Sequence, residues 1–142
     1  MGEFDVYLLA KQYGADDAPN YYRHWRGGYY FAARVKTAPK DQIAMLYWSG
    51  WDSPEAARDF AKLYADYLPK RYKKAVLQAP APDAKGTRNL YVFDTNEGKA
   101  TIEIEGSDLL IMEGFDGTVT ERARDVLLFG MSLPAQAGKG KN

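Results

Sequence analysis

The string Asp52-Ser53-Pro54-Glu55 marks the start of a helix, and it constrains what this chain can fold into. Ser53 has the hydroxyl favoured at N-cap positions, Pro54 suits the first helical position, and Glu55 falls in the positively polarised first turn. Apolar residues then recur every three or four positions as one stripe, formed by Ala56, Phe60, Leu63, Tyr64 and Tyr67. The pattern predicts a core-packed amphipathic helix that Pro69 ends.

Strand-forming segments precede this helix. Residues 29–36 and 43–51 are rich in aromatic and apolar side chains, and they flank a polar connection at 37–42 that contains Pro39. Two such runs joined by a short polar segment predict an antiparallel hairpin. Before the hairpin, residues 3–13 and 15–25 predict two helices, and Gly27-Gly28 frees the chain to turn. For the first segment a strand is the alternative, because Phe4, Val6 and Leu8 also alternate.

Further strands follow the helix. Three short runs, separated by turns rich in Asn, Asp and Gly, predict a three-stranded meander over 89–94, 99–105 and 109–113. The alternation Ile102-Glu103-Ile104-Glu105 is typical of a strand with one buried and one solvated face. The chain therefore predicts an α+β fold, in which an antiparallel sheet (a hairpin plus a three-stranded meander) is covered on one face by helices.

The remaining segments predict a single domain. The string Thr118-Val-Thr-Glu121 matches a capping box and predicts a last helix that stops near Gly130. The Pro- and Ala-rich segment 79–87 is interpreted as a surface loop. We expect one α+β domain over 1–133 and a flexible tail over 134–142.

Composition excludes several function classes. Among 142 residues there are no cysteines and one histidine, so thiolate zinc sites, iron–sulfur clusters and cysteine nucleophiles are excluded. The 19 basic and 19 acidic side chains balance, which argues against nucleic acid as a partner. The longest apolar run, 126–131, is far shorter than the roughly 18 residues that a membrane span needs.

The segment Leu46-Tyr-Trp48-Ser-Gly-Trp51-Asp52-Ser-Pro-Glu-Ala56-Ala57-Arg-Asp-Phe60 carries a resemblance. It resembles the W-x-x-W-D-S-x-x-D-A-x-E-F pattern of a poorly characterised group of bacterial and archaeal extracytoplasmic proteins. In that group a G-W-x-G-D-R-Y segment precedes the pattern, and residues 25–30 are similar to it, with Gly28 and Tyr29 in place of its Asp-Arg pair. The likeness covers roughly residues 2–68. It implies a C-terminal accessory domain and an extracytoplasmic location.

The same junction, Trp51-Asp-Ser53-Pro-Glu55-Ala56, is also similar to a strand–helix junction of dimeric α+β barrel proteins. Some of these are small monooxygenases with or without a cofactor. This resemblance implies a dimer, and we then expect an apolar pocket lined by Tyr30, Trp48 and Tyr64.

Aromatic and basic residues are interleaved in the segment 21–31. Such rings can stack on bases or sugars while arginines contact phosphates, so the segment is a candidate ligand platform. The alternative is that the rings only pack the core. The candidate ligand-binding residues are Tyr22, His24, Trp25, Arg26, Trp48, Trp51 and Asp52. For Asp52 the competing interpretation is help in capping the helix.

Charge is distributed in opposed blocks. Residues 62–88 carry a net charge of +5 and residues 94–125 a net charge of −6. The first block includes a basic patch made of Lys70, Arg71, Lys73 and Lys74. The blocks suggest a surface for a protein partner or for a domain of a parent chain. Glu103, Glu105 and Glu113 are expected on a solvated face, and no residue spacing indicates a metal or cofactor site.

Three functions remain open. The favoured one is a non-catalytic accessory or binding domain of a larger bacterial protein, since residue types for catalysis are scarce. The second is a small-molecule binder or enzyme of the dimeric α+β barrel type. The third is carbohydrate or single-strand binding through the aromatic platform, which requires exposed rings.

Overall fold

The structure, a computed structural model, describes residues 23–34, 42–78 and 89–130. These residues form six strands and two helices: β1 (Trp25–Arg34), β2 (Ile43–Trp51), α1 (Pro54–Arg71), β3 (Ala75–Leu77), β4 (Leu90–Thr95), β5 (Gly98–Glu105), β6 (Asp108–Glu113) and α2 (Gly117–Leu127). The strands make one antiparallel sheet in the order β1-β2-β6-β5-β4-β3.

The predicted α+β class is confirmed, with its hairpin and its meander. Strands β1 and β2 form the hairpin, strands β4 to β6 form the meander, and β2 pairs with β6 to join them, with Tyr47 opposite Ile111. Strand β3 was not predicted from the sequence. It has three residues, too few to show an alternating pattern.

The two helices lie against opposite faces of the sheet. Helix α1 covers the face that contains Tyr47, Ile102 and Ile111, while α2 packs near Leu110 and Met112 on the other face. Neighbouring residues of a strand point to opposite faces, so the central strands β2 and β6 are buried on both. Burial on both faces explains why the sequences of β2 and β6 are continuous apolar runs. Helices were predicted on one face of the sheet only.

Helix α1 begins as predicted. Ser53 Oγ accepts a hydrogen bond from the Ala56 amide at 3.1 Å, and Pro54 is the first helical residue. The helix does not end at Pro69, however, but continues to Arg71. Proline removes only the bond that its own amide would donate, while the Tyr72 amide still reaches the Leu68 carbonyl at 3.1 Å.

Helix α2 is capped by a residue other than the predicted one. Asp116 Oδ1 accepts from the Val119 amide at 2.9 Å, so Thr118 of the proposed capping box lies inside the first turn. An aspartate supplies a charged acceptor at the positive end of the helix, which favours it as the cap.

Strand β1 starts four residues earlier than predicted. Trp25, assigned to a helix, is the first strand residue and lies opposite Trp51. Gly28 allows the close approach of β2: a Cβ there would lie 3.0 Å from the Trp48 carbonyl oxygen and from the Tyr47 ring. The predicted helix over 3–13, nearly all of the one over 15–25, the loop over 79–87 and the tail over 134–142 lie outside the described residues.

Candidate functional site

Strand β1 exposes three consecutive aromatic side chains, which we call the aromatic segment: Tyr29, Tyr30 and Phe31. They are 56%, 45% and 47% exposed, respectively. Their partners on β2 are Trp48, Tyr47 and Leu46, which are half-buried or buried. Large rings therefore lie on the accessible outer strand of the hairpin, while the inner strand belongs to the core.

The aromatic segment displays its rings on both faces of the sheet. Tyr30 lies opposite Tyr47, on the face that α1 covers further along the sheet, whereas Tyr29 and Phe31 lie on the face of α2. Helix α2 packs most closely on β6, two strands away from β1. The rings are therefore not one flat platform but a strand with an aromatic side chain on each face.

Two tryptophans of the predicted site belong to the core. Trp51 is buried, its Nε1 donates to Ser49 Oγ at 2.9 Å, and its ring centroid lies 4.8 Å from that of Phe60. Trp25 is half-buried against the same core, and its Nε1 donates to the Tyr47 hydroxyl at 3.1 Å. Both side chains hold the start of β1 and the end of β2 onto the sheet.

Trp48 lies on the opposite face from Trp51, because three residues of strand reverse the side-chain direction. It is half-buried beside Leu46 and Leu110. Its indole N–H is buried and finds no acceptor within the described parts of the chain. The two tryptophans of the Trp48-x-x-Trp51 spacing thus pack on opposite faces of the sheet.

The three charged residues of the predicted site come together. Asp52 Oδ2 accepts from His24 Nδ1 at 2.7 Å and from Arg26 Nη2 at 3.2 Å, and the Asp52 amide donates to the His24 carbonyl at 2.9 Å. The hydrogen bond from His24, helped by the nearby Arg26, lowers the pKa of Asp52. All three residues are exposed, and they fasten the start of β1 beside the start of α1.

Positive charge flanks the aromatic segment. Arg23 and Arg26 precede it, Arg34 ends the strand, and all three are exposed. Between residues 23 and 34 there is no aspartate or glutamate. Arginines therefore lie at both ends of the aromatic segment, and Asp52 offsets part of the charge at the first end.

Tyr22, the remaining predicted ligand residue, lies outside the described residues. The basic patch divides. Lys70, Lys73 and Lys74 are exposed, but the Arg71 guanidinium turns to Glu113, with Nη1 at 2.9 Å from Oε2. Part of the basic block is therefore paired with the acidic block of the same chain.

The cluster around Glu113 and Arg71 was not predicted from the sequence, because Glu113 was expected on a solvated face. Glu113 is 1% exposed, since β6 is a central strand and Glu113 shares a face with Leu109 and Ile111. The Tyr64 hydroxyl donates to Oε2 at 2.7 Å, and the Tyr72 hydroxyl donates to Oε1 at 2.6 Å. The run Leu109-Leu-Ile-Met-Glu113 could have predicted this burial, because Leu109, Ile111 and Glu113 alternate along the strand and therefore share one face.

The electrostatics of this buried cluster favour its hydrogen-bonded form. Burial and the adjacent Glu113 carboxylate raise the pKa values of Tyr64 and Tyr72 above the usual tyrosine range. Burial opposes the charge of Arg71, but Glu113 together with the neighbouring tyrosines outweighs burial and raises the pKa of the guanidinium. Three donors satisfy the carboxylate, so the cluster stabilises the fold and presents no reactive group.

Glu103 is also paired rather than free on a solvated face. Arg124 Nε of α2 lies 2.7 Å from Glu103 Oε2, on the face opposite α1. Within residues 23–34, 42–78 and 89–130, no cluster of three or more His, Asp or Glu side chains could hold a metal ion. The helices in these ranges also include none long and apolar enough to cross a membrane.

Comparison with known proteins places the chain in a family but not beside a characterised protein. No curated protein and no solved structure gives a significant match. The family described as "Domain of unknown function (DUF8575)" matches residues 1–124, a range that includes β1, the aromatic segment and the Glu113 cluster. The chain belongs to the DUF8575 family.

Proposed function

We propose that this chain is a non-catalytic accessory or binding domain of a larger bacterial protein, and that β1 is its binding surface. One observation carries the proposal: three adjacent aromatic side chains, Tyr29, Tyr30 and Phe31, are about half exposed on a strand that pairs, among the described strands, with β2 alone. Clustered exposed apolar side chains on a soluble domain mark interaction sites.

The chemistry of the two polar clusters agrees with a binding role. Glu113 is satisfied by an arginine and two tyrosines, and Asp52 is occupied by His24 and Arg26. These contacts position strands and helices, which is what a binding domain requires.

The dimeric α+β barrel alternative has less support. It needs Tyr30, Trp48 and Tyr64 around one pocket. Tyr64 is buried on the inner face of α1, where its hydroxyl contacts Glu113, while Trp48 lies on the other face of the sheet. The three side chains do not meet.

Carbohydrate or single-strand binding remains a second candidate, because the exposure of the rings favours it. Tyr29 and Phe31 share a face at a spacing of two residues, about 7 Å. A sugar or base could stack on either ring. The resemblance of the tryptophan–aspartate segment supports a bacterial, extracytoplasmic parent protein.

The experiment compares ligand classes on two variants. Wild-type protein, Tyr29→Ser/Phe31→Ser and the control Val76→Ser/Leu77→Ser, which alters exposed residues of β3, are screened on a glycan array, an oligothymidine and a displayed nonapeptide library. We expect one class to bind wild type and the control, and to lose at least about tenfold affinity with the β1 variant.

Circular dichroism and thermal unfolding accompany the screen. Because the two rings are about half exposed, the β1 variant should fold and unfold like the control. Binding that survives in the β1 variant, or no binding by any class, would contradict the proposal. So would unfolding of the β1 variant while the control stays folded, since the rings would then be structural.

A further inference from the structure

The two outer strands of the sheet differ in how well they are protected. Strand β3 has three residues and follows Lys73 and Lys74, and short length and lysines are the usual devices that prevent an edge strand from pairing. Strand β1 has ten residues and, among the described strands, pairs only with β2. No lysine or proline interrupts it. Its outer edge carries the backbone groups that a further strand would use.

We propose that β1 binds an extended peptide segment of another protein as an added strand, with apolar residues in its middle and acidic residues at both ends. This deepens the proposed function, on which it rests, by naming the ligand class. Backbone hydrogen bonds to the outer edge of β1 supply affinity, and side chains on alternate faces supply specificity.

The aromatic segment explains why the middle of the peptide is apolar. An added strand places its side chains beside those of β1 on both faces of the sheet. It would meet Tyr29 and Phe31 on one face and Tyr30 on the other. A ligand that only stacks on rings would use one face, whereas a strand uses all three rings at once.

Charge explains why the ends are acidic. Arg26, at the irregularity between Trp25 and Gly27, and Arg34 lie near opposite ends of β1, at most about 27 Å apart along the strand, and Arg23 adds charge at the first end. Neither β1 nor Arg23 and His24 before it contributes a carboxylate, and Asp52 is the only carboxylate that the described residues bring to Arg26. Glutamates eight residues apart on the peptide match this pattern.

The same charges argue against a second copy of this chain as the occupant. Two β1 strands paired antiparallel about Tyr30 would place Arg26 opposite Arg34 at both ends. Like charges directly opposite each other on neighbouring strands are destabilising. A peptide from a different protein avoids this conflict.

The test uses the full chain and a synthetic probe, acetyl-Glu-Val-Thr-Phe-Val-Phe-Thr-Val-Glu-amide, at low ionic strength. Two further probes are N-methylated at their even or at their odd interior positions. An added strand pairs through one of its edges only, so we expect one N-methylated probe to lose binding and the other to keep it. Equal binding of both, or no binding of the parent probe at millimolar concentration, would overturn the proposal.

Charge reversal tests the ends and the direction of the peptide. Arg34→Glu should weaken the parent probe about five- to tenfold, because an attraction becomes a repulsion. Lysine in place of one terminal glutamate of the probe should restore the affinity, and which end restores it distinguishes parallel from antiparallel addition. Lys74→Glu, near the other edge, is the matched control. Equal weakening by both variants would show that only net charge matters and would refute the end contacts.

Hydrogen exchange supplies the backbone readout. Alternate amides of β1 should exchange in the protein alone and become protected when the probe is added. Protection of all β1 amides before addition would mean that the edge is already occupied, which overturns the proposal. Glycan or oligothymidine binding that depends on Tyr29 and Phe31, without peptide binding, would leave the proposed function standing and refute this inference alone.

Discussion

Two carboxylates at opposite ends of α1 each bind an arginine, yet their surroundings differ. At the start of the helix, Asp52 contacts Arg26 and His24 on the surface. At its end, Glu113 contacts Arg71, Tyr64 and Tyr72, and its carboxylate is 1% exposed, although the Arg71 side chain is 36% exposed. The chemistry of the two pairs is similar, and what separates them is access to water.

The difference in burial gives the two clusters different effects on stability. A surface ion pair contributes little, because water competes for both charges. A buried carboxylate that loses a partner cannot recruit water, so each donor to Glu113 carries a large penalty for its removal. The Glu113 cluster therefore fixes the end of α1 on the sheet. The Asp52 cluster positions the start of β1 and tolerates change.

The largest effect is expected for Arg71→Gln. It leaves the buried Glu113 carboxylate without its cation, and we expect a loss of about 3 kcal/mol in the free energy of unfolding, the lower end of the range because two tyrosine donors remain. Urea denaturation at pH 7 measures it. Lys62→Gln, which breaks the exposed pair with Asp66, is the control and should cost no more than about 0.5 kcal/mol. Similar values for the two variants would break the contrast between buried and exposed pairs.

Tyr72→Phe should have the next largest effect. Loss of the hydroxyl that donates to Glu113 should cost about 1.5 kcal/mol at pH 7, the lower range for hydrogen bonds to charged groups. Tyr29→Phe, which removes an exposed hydroxyl, is the control at that pH.

Tyr72→Phe also tests how the free energy of unfolding changes at high pH. The folded state raises the pKa of Tyr72, so between the unfolded value near 10 and the folded value the folded chain holds the extra proton. Stability should therefore fall as the pH rises above about 10, and less steeply in Tyr72→Phe. Parallel curves for wild type and variant would contradict this origin.

A smaller effect of opposite sign is expected at Asp108, the first residue of β6. Burial raises its pKa, so the charged form at pH 7 is disfavoured in the folded chain. Asp108→Asn should stabilise the protein by no more than about 0.5 kcal/mol, measured by thermal unfolding. Because the folded state holds its proton more tightly, the gain should shrink as the pH falls towards about 4. A destabilised variant would show that the charge makes a favourable contact.

The smallest effect is expected for Asp52→Asn. The pKa of Asp52 is lowered in the folded chain, so its stabilising contribution is present above about pH 4 and is lost as the pH falls further. The variant should unfold almost as wild type does at pH 7 and should show a shallower loss of stability in acid. Asp59→Asn, on the exposed side of α1, is the control. Unfolding of Asp52→Asn at pH 7 would place the surface cluster among the structural ones.

Much of the fold followed from local patterns. Local sequence predicted the cap and first-turn proline of α1, the hairpin strands and the meander turns. Caps and turns depend on a few adjacent side chains, so neighbouring residues are enough to predict them. The end of α1, the cap of α2 and the start of β1 did not follow. The end of α1 and the start of β1 depend on contacts with distant segments, as Arg71 does with Glu113 and Trp25 does with Tyr47. The cap of α2 is local, and there Asp116 takes the position that the capping-box pattern assigned to Thr118.

The candidate site divides in the same way. The sequence singled out His24, Arg26 and Asp52, and the structure brings all three into contact. It also singled out Trp51, which the structure buries, and it described Glu113 as solvated. Alternation states which residues share a face, but not whether a helix covers that face.

By itself, the sequence determined the class of the fold, the order of its hairpin, central helix, meander and last helix, and the residues that can carry charge or rings. Only the tertiary structure decided that β2 and β6 are covered on both faces and that, among the described strands, β1 lies at the edge with its rings exposed. It also decided that Arg71 pairs with Glu113. The reason is physical: local propensity acts between neighbours in the chain, whereas burial is a property of the whole packed sheet.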